Sequence, residues 1–307
     1  MPTNISSQLP FFLTLNATYE QAFQRTEPWA AKVATIMPCD GEVVLNAWME
    51  DLPDSREWLG PKVIHSPILR DSVSIIKPFE FTVGVNKFHV ADDKLGVYLP
   101  RTNIMAKRAA KLKDKELFAL FSGSKLAWDK VPFWGTHAVN IDDASMGTYT
   151  NTETATSVVE AINKAFAAMG TRKGASGNLL AVSPKKVFYG HQLHEAVFQA
   201  LRGQSTSHRA DGSGASDAAT VVNPWFGLIE PIMIEEMSAL PGVMIFTDDS
   251  NGVSPFVFHN RQEPEFAQMT SSSDPAVFMD ALYVYGWEAR GVADYSLPFL
   301  AHKVTVS

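Results

Sequence analysis

The chain has 307 residues, 46% hydrophobic and 19% charged, enough to bury a core as one large domain or a few subdomains. A formal charge of −7 argues against a protein whose main task is gripping a nucleic-acid backbone, and a single cysteine, Cys39, excludes an intramolecular disulfide framework. No apolar run reaches membrane-spanning length and the first residues carry no basic leader region, so the expectation is a protein of a reducing cytoplasm with no membrane partner.

The segment "TLNATYEQAFQRTEPWAAKVATIM" predicts an amphipathic helix interrupted at Glu27-Pro28, with Tyr19, Ala22 and Phe23, then Trp29 and Val33, at helical spacing. "LNAWMEDLPDSREWLGP" follows, its Trp48 and Trp58 bracketing a proline turn. In "KPFEFTVGVN", Phe79, Phe81, Val83 and Val85 alternate with Glu80, Thr82, Gly84 and Asn86, the period-two pattern of a strand with one apolar face. "HSPILRDSVSII" reads as a second strand, and the Lys77-Pro78 step between them predicts a hairpin whose apolar face needs a surface to lie on. The alternation changes parity at Asn86-Lys87, so the strand is expected to end or bulge there.

Pro100 suits the first turn of a helix, and "RTNIMAKRAAKLKDKELFALFSG" predicts a long one over 100–121, stopped by Gly123. Its polar side carries Lys107, Arg108, Lys111 and Lys115, either a solvated face or a basic strip that meets something. Helices are also expected in "SVVEAINKAFAAMG" and "YGHQLHEAVFQALRG", with a buried strand in "GNLLAVSP" between them. "RGQSTSHRADGSGASDAAT" is too polar and glycine-rich to pack, and Arg209, Asp211, Gly212 and Gly214 mark it as a flexible tip. Short strands should follow in "FGLIEPIMIEE", "GVMIFTDD", "SPFVFHNRQ", "ALYVYGWEARG" and "FLAHKVTV".

Motifs that carry chemistry are absent from the residue patterns. His191 and His194 lie three apart and lack the H-E-x-x-H spacing of zinc peptidases. The pairs Asp92-Asp93, Asp142-Asp143 and Asp248-Asp249 adjoin predicted elements, where aspartate caps helices and opens turns. There is no nucleophile elbow, phosphate loop or dinucleotide fingerprint, so no catalytic, cofactor-binding or metal-binding residue is assigned and the expected cofactor is none. A metal-dependent hydrolase built from His191, His194 and an acidic pair is the remote alternative.

Several segments in order, "WAAKVATIMP", "REWLGP", "SIIKPFEFTVGVNKFHVADDKLGVY", "KDKELFALFSG", "WDKVPFWGTHA", "NLLAVSPKKVFYGHQLHEAV", "MIFTDDS" and "LYVYGWEARGVADY", resemble the major head subunit of phage Mu and its relatives. The resemblance runs from about Asn16 onward. It departs from the family's usual pattern at Asp129-Lys130, at Phe133-Trp134 and in "MPCDGE".

The resemblance implies an α+β chain with the Hong Kong ninety-seven-type (Johnson) capsid fold and a non-enzymatic role as the major capsid protein of a tailed double-stranded DNA phage. It implies an N-terminal arm over 1–60, an extended β-hairpin loop over 61–86 and a peripheral domain over 87–149 with its spine helix at 100–121. An axial domain over 150–269 and C-terminal strands over 270–307 that return to the peripheral domain complete it. Lys77, Pro78, Phe79, Phe81, Val83 and Val85 would then touch a neighbouring subunit, and Lys107, Arg108, Lys111 and Lys115 would face the lumen or another copy. The implied partners are the chain itself in hexamers and pentamers, a portal, a scaffold or protease, cement proteins, and packaged double-stranded DNA held non-specifically. The implied location is the virion, assembled in the host bacterial cytoplasm. An encapsulin-type nanocompartment shell protein shares the fold and is the nearer alternative.

Overall fold

A proline and a buried aspartate shape the first described elements. The computed structural model describes residues 9–49, 69–91, 95–203, 205–208, 219–250 and 252–307. Helices α1 (Leu9–Arg25) and α2 (Ala30–Val33) are separated where Pro28 removes an amide donor. The Asp114 carboxylate accepts from the backbone amides of Ala30, at 2.8 Å, and Trp29, and so satisfies donors that the start of α2 leaves open. Strands β1 (Thr35–Pro38), β2 (Val43–Met49), β3 (Leu69–Ile75) and β4 (Lys77–Asn86) come next, followed by α3 (Lys87–Ala91). β4 stops at Asn86, where the alternation changes parity; the Asn86 side chain accepts the Phe88 amide at 2.9 Å and the chain turns into a helix.

The helix expected over 100–121 is found as α4 (Leu95–Ala110) and α5 (Leu112–Ser122). It begins before Pro100, which lies inside α4 instead of in its first turn. Bonds from Lys111 N to Lys107 O and from Lys115 N to Lys111 O carry the helical pattern across the turn at Lys111.

The remaining elements are β5 (Thr136–Ala138), β6 (Thr148–Thr150), β7 (Thr152–Ala155), α6 (Val158–Gly170), β8 (Lys186–Tyr189), α7 (His194–Arg202), β9 (Ser205–His208) and β10 (Ala219–Val222). After them come β11 (Glu230–Met233), β12 (Val243–Thr247), β13 (Phe256–Met269), α8 (Pro275–Asp280), β14 (Leu282–Tyr295) and β15 (Ala301–Val306). The strand expected in "GNLLAVSP" forms only after that stretch, as β8. Ala181 takes a left-handed backbone with φ 51°, and Pro184 has no amide to give a ladder.

The chain divides into two compact units, each assembled from separated segments: 1–44, 74–117 and 258–294 in the first, 45–73, 118–257 and 295–307 in the second. In the first unit a four-stranded sheet has the order β1-β13-β14-β4. β4 runs antiparallel to β14, with Phe79 opposite Ala289, Phe81 opposite Trp287, Val83 opposite Tyr285 and Val85 opposite Tyr283. That register puts both apolar sets on one face, over a core that also takes Leu15, Tyr19 and Ala22 from α1 and Met105, Ala106 and Ala109 from α4. The "YGWEARG" glycines are needed for this approach: a Cβ on Gly286 would lie 2.3 Å from the Phe81 carbonyl oxygen, and one on Gly291 2.6 Å from the Phe258 ring.

The second unit holds a five-stranded sheet of order β11-β8-β12-β15-β7, with parallel pairs at β11–β8 and β15–β7 and antiparallel pairs between. One face is covered by α6 and α7, whose Ala161, Ile162, Ala165, Val197 and Leu201 pack with Val187, Met244, Phe246 and Val304. α6 is capped on both sides of its start, Ser157 Oγ accepting the Glu160 amide and Glu160 accepting the Thr156 amide. Arg172 is buried and donates to the carbonyls of Phe299 and Ala301 and, at 3.1 Å, to Nδ1 of His302. An acceptor Nδ1 makes His302 neutral; burial, with the Arg172 charge adding to it, holds its pKa down to about 3.

These units differ from the expected segments at three places. Residues 118–149 belong with the five-stranded sheet instead of the long helix's unit, Phe258–Met269 belong with the four-stranded sheet, and β15 pairs with β7 and β12 instead of returning beside β14. The physical reason for the last is the turn through Leu297-Pro298, where the chain leaves β14 and Arg172 pins the following carbonyls.

Candidate assembly surfaces

The apolar face of β4 is already covered by its own chain. Val85 is buried, and Phe79, Phe81 and Val83 are half-buried against α1, α4 and β14. Fully burying four such side chains is worth roughly 6–12 kcal/mol before ordering costs, and with three of them half-buried a part of that gain is made within one subunit. β4 does not pair with β3, so the hairpin expected about Lys77-Pro78 is not formed. Lys77 and Pro78 open β4 opposite Gly291 and Arg290, and Lys77 Nζ lies 3.6 Å from Glu116. Lys77 is therefore at a strand start beside α5, not at a loop tip.

The partner of β3 is β2, and together they form a two-stranded ribbon separate from both principal sheets. The expected loop boundary at Pro61 thus falls between two strands of one ribbon, and its first strand lies in what was expected to be arm. Val43, Leu45, Val73 and Ile75 are 54–65% exposed on it. Their two-residue spacing places each pair on one side of its strand. Asn46 and Ser74, of opposite parity, are buried, and Ser74 donates to the buried carboxylate of Asp294. The ribbon therefore has a polar side engaged by its own chain and an apolar side facing solvent. The "REWLG" segment and Asp92-Asp93 lie outside the described residues.

Along α4 and α5, Arg101, Ile104, Arg108, Lys111 and Lys115 follow a three-then-four spacing that puts them in one stripe. Lys107, Arg108 and Lys115 are exposed and Lys111 is half-buried. The Arg108 guanidinium sits 5.9 Å from the Phe81 ring centroid, so its position is steadied by the β4 face beneath it. Arg101 joins this stripe because α4 begins at Leu95, a full turn before the first residue of the expected helix.

In the second unit, His191 occupies a short 3-10 turn and His194 begins α7, its Nδ1 3.2 Å from the Tyr189 hydroxyl. Asp143 caps the turn at Ser145, Asp248 accepts the amides of Ser183 and Ser250, and Asp249 pairs with Lys186. Among the described residues no group of three or more His, Cys, Asp or Glu side chains is arranged to hold a metal ion. Arg209, Asp211, Gly212 and Gly214 lie outside the described residues, between the paired strands β9 and β10. A buried pair that follows α5 in the sequence has no signature in the residue pattern. His137 Nδ1 lies 2.5 Å from Asp129 Oδ2 and its Nε2 lies 2.9 Å from the Phe133 carbonyl, which together close the loop from Asp129 to His137.

An α+β chain with an extended two-stranded ribbon, a long helix laid under a four-stranded sheet and a second mixed unit has the architecture of a phage capsid subunit of the Hong Kong ninety-seven type. A procapsid subunit of bacteriophage JBD30 has this fold: it superposes with a TM-score of 0.53 at 22% identity, covering 96% of this chain and 75% of that one. The family model for the Mu-like prophage major head subunit gpT matches residues 10–162 and 238–306, and the chain belongs to that family. It is 21% identical to the Mu-like prophage FluMu major head subunit of Haemophilus influenzae over 95% of this chain and 71% of that protein. It is 22% identical to the major capsid protein of Escherichia phage Mu over 86% of this chain, and spans 62% of the length of that relative. The role that follows from membership is that of a major capsid protein of a tailed phage. The relatives are structural proteins.

Proposed function

We propose that copies of this chain join into hexamers and pentamers that close an icosahedral shell around double-stranded DNA in the bacterial host. In this reading the first unit is the peripheral domain with α4 and α5 as its spine, and the second is the axial domain at the capsomer centre. The observation that carries the proposal is the β2–β3 ribbon: a two-stranded sheet is marginal in water, yet this one shows its apolar side chains to solvent. A neighbouring copy laid against Val43, Leu45, Val73 and Ile75 would remove that exposure. The inter-subunit role expected of Phe79, Phe81, Val83 and Val85 passes to these four, because the first set is covered within the chain.

The stripe cations Arg101, Arg108, Lys111 and Lys115, with Lys107 exposed beside them, support non-specific contact with packaged DNA, in an otherwise acidic chain that would not grip the genome tightly. A portal, a scaffold or protease and cement proteins are the further partners this role calls for. Expression of the chain with those partners should yield closed particles by electron microscopy, with nuclease-protected DNA after packaging. Only monomers under those conditions would refute the shell reading, and particles that enclose protein cargo and no nucleic acid would favour a nanocompartment instead.

A further inference from the structure

One end of the four-stranded sheet is apolar and exposed. There β13 ends at Met269, the chain passes through α8, and β14 begins beside the last residue of β4, Leu282 opposite Asn86. The Lys87 amide donates to the Ala281 carbonyl at 2.8 Å, which ties the start of α3 to the end of α8. Phe278 and Met279 are 78% and 77% exposed, Phe88 is 64% exposed, and Met269 is exposed as well.

This end is built to hold its shape. Val277 is buried in the core of the unit and anchors α8 from below. Asp274 accepts the Ser271 amide at 2.8 Å through its side chain and the Phe278 amide at 3.0 Å through its carbonyl. Ala281 closes the helix in the left-handed conformation, φ 53°. Two adjacent large side chains are thus held outward on a fixed turn, where a mobile loop could have folded them back.

We infer that this sheet end is a contact by which copies of the chain meet one another through like patches. Three features point to a second copy as the occupant. Aromatic and methionine side chains are the residues enriched at the centres of protein interfaces. The described charges in these segments are few, Lys87 against Asp274 and Asp280, so a like patch meets itself with little of the repulsion that a chain of charge −7 carries elsewhere. The exposed apolar area of the four side chains is on the order of 500 Å², below the roughly 800 Å² per partner of a contact that stands alone. Such a patch leaves isolated subunits apart and adds its effect when other contacts have already brought copies together, as a shell subunit requires. The inference rests on the shell reading proposed above.

The test uses the full chain with Phe278→Ser and Met279→Ser combined, and separately with Phe278→Cys in a Cys39→Ser background. The parent chain must form particles; if it does not, the shell reading fails and the patch is not at issue. Given parent particles, the double serine variant should remain folded, with an unchanged circular dichroism spectrum and melting point, and its particle yield should fall by at least about tenfold at the same subunit concentration. In particles of the Phe278→Cys chain, a short bis-maleimide should join subunits pairwise through the introduced thiols, seen as a covalent dimer in a denaturing gel and mapped by peptide mass. Normal assembly of the double variant, or assembled particles of the Phe278→Cys chain that give no link between the introduced thiols, would overturn the inference.

Discussion

Strand β4 and the β2–β3 ribbon carry apolar residues at the same two-residue spacing, yet they end in opposite situations. Phe79, Phe81, Val83 and Val85 lie over α1, α4 and β14 of their own chain. Val43, Leu45, Val73 and Ile75 face solvent, while Asn46 and Ser74 on the other side are held. Period-two alternation says that a strand has two unlike faces. It does not say whose surface covers the apolar one. That is decided by which sheet the strand joins: beside β14, some two hundred residues further along the chain, the β4 face lies over α1 and α4.

The sharpest challenge to this contrast is Gly286→Ala. A methyl group there would sit 2.3 Å from the Phe81 carbonyl oxygen, so the β4–β14 ladder must move or open. The expected cost is on the order of 4 kcal/mol or more, read as loss of soluble protein or a collapse of the melting temperature. A soluble variant melting with the parent would show that β4 does not depend on β14. Phe81→Ala should be milder, about 2–4 kcal/mol in a urea titration, since the ring is half-buried and also underlies Arg108. If its cost appeared only in assembled particles, the covering surface would be another copy after all.

Val73→Asp with Ile75→Asp probes the other side of the comparison. Both residues are exposed in the single chain, so folding stability should change by no more than about 0.5 kcal/mol, while particles should fail to form. An unfolded variant would mean that the ribbon face is covered within the subunit.

The smallest effect concerns the second unit. His302 is neutral when folded, with a pKa near 3 against 6.5 for a free histidine. The unfolded chain therefore binds the extra proton first as pH falls below 6.5, and stability drops with decreasing pH until about pH 3. Between pH 6 and 4 this group should account for about 2 kcal/mol, visible as a slope in melting temperature against pH. His302→Gln should flatten that slope without touching either surface compared above. An unchanged slope would assign the acid sensitivity to other groups.

Much of the first unit could be read locally. Pro28 separates α1 from α2, the parity change at Asn86 marks the end of β4, and the helical stripe of α4 and α5 is plain in the residues. What local patterns could not carry was pairing. "HSPILRDSVSII" and "KPFEFTVGVN" are neighbours in sequence and were expected to form a hairpin, but β3 pairs back to β2 across the "REWLG" segment. "VVLNAWM" carries strand-forming residues, yet its tryptophan drew it to the proline turn that follows. In "GNLLAVSP" the apolar run looked like a buried strand, whereas a left-handed Ala181 and a proline deny it a ladder and leave Leu179 exposed. The exposed pair Phe278-Met279 gave no signal at all, because two apolar residues in a short helix ordinarily belong to a core.

The segmented construction of the first unit also bears on how the protein is made. The β4 face is synthesised well before its sheet neighbour β14, which lies some two hundred residues further along the chain. While the intervening residues are being made, "KPFEFTVGV" is an apolar strand whose partner has not been synthesised. Such a unit closes only once β14 has been made, through contacts of long sequence separation that form slowly. Nascent chains on crowded ribosomes would present the same unpaired strand to one another until β14 is there to pair with it.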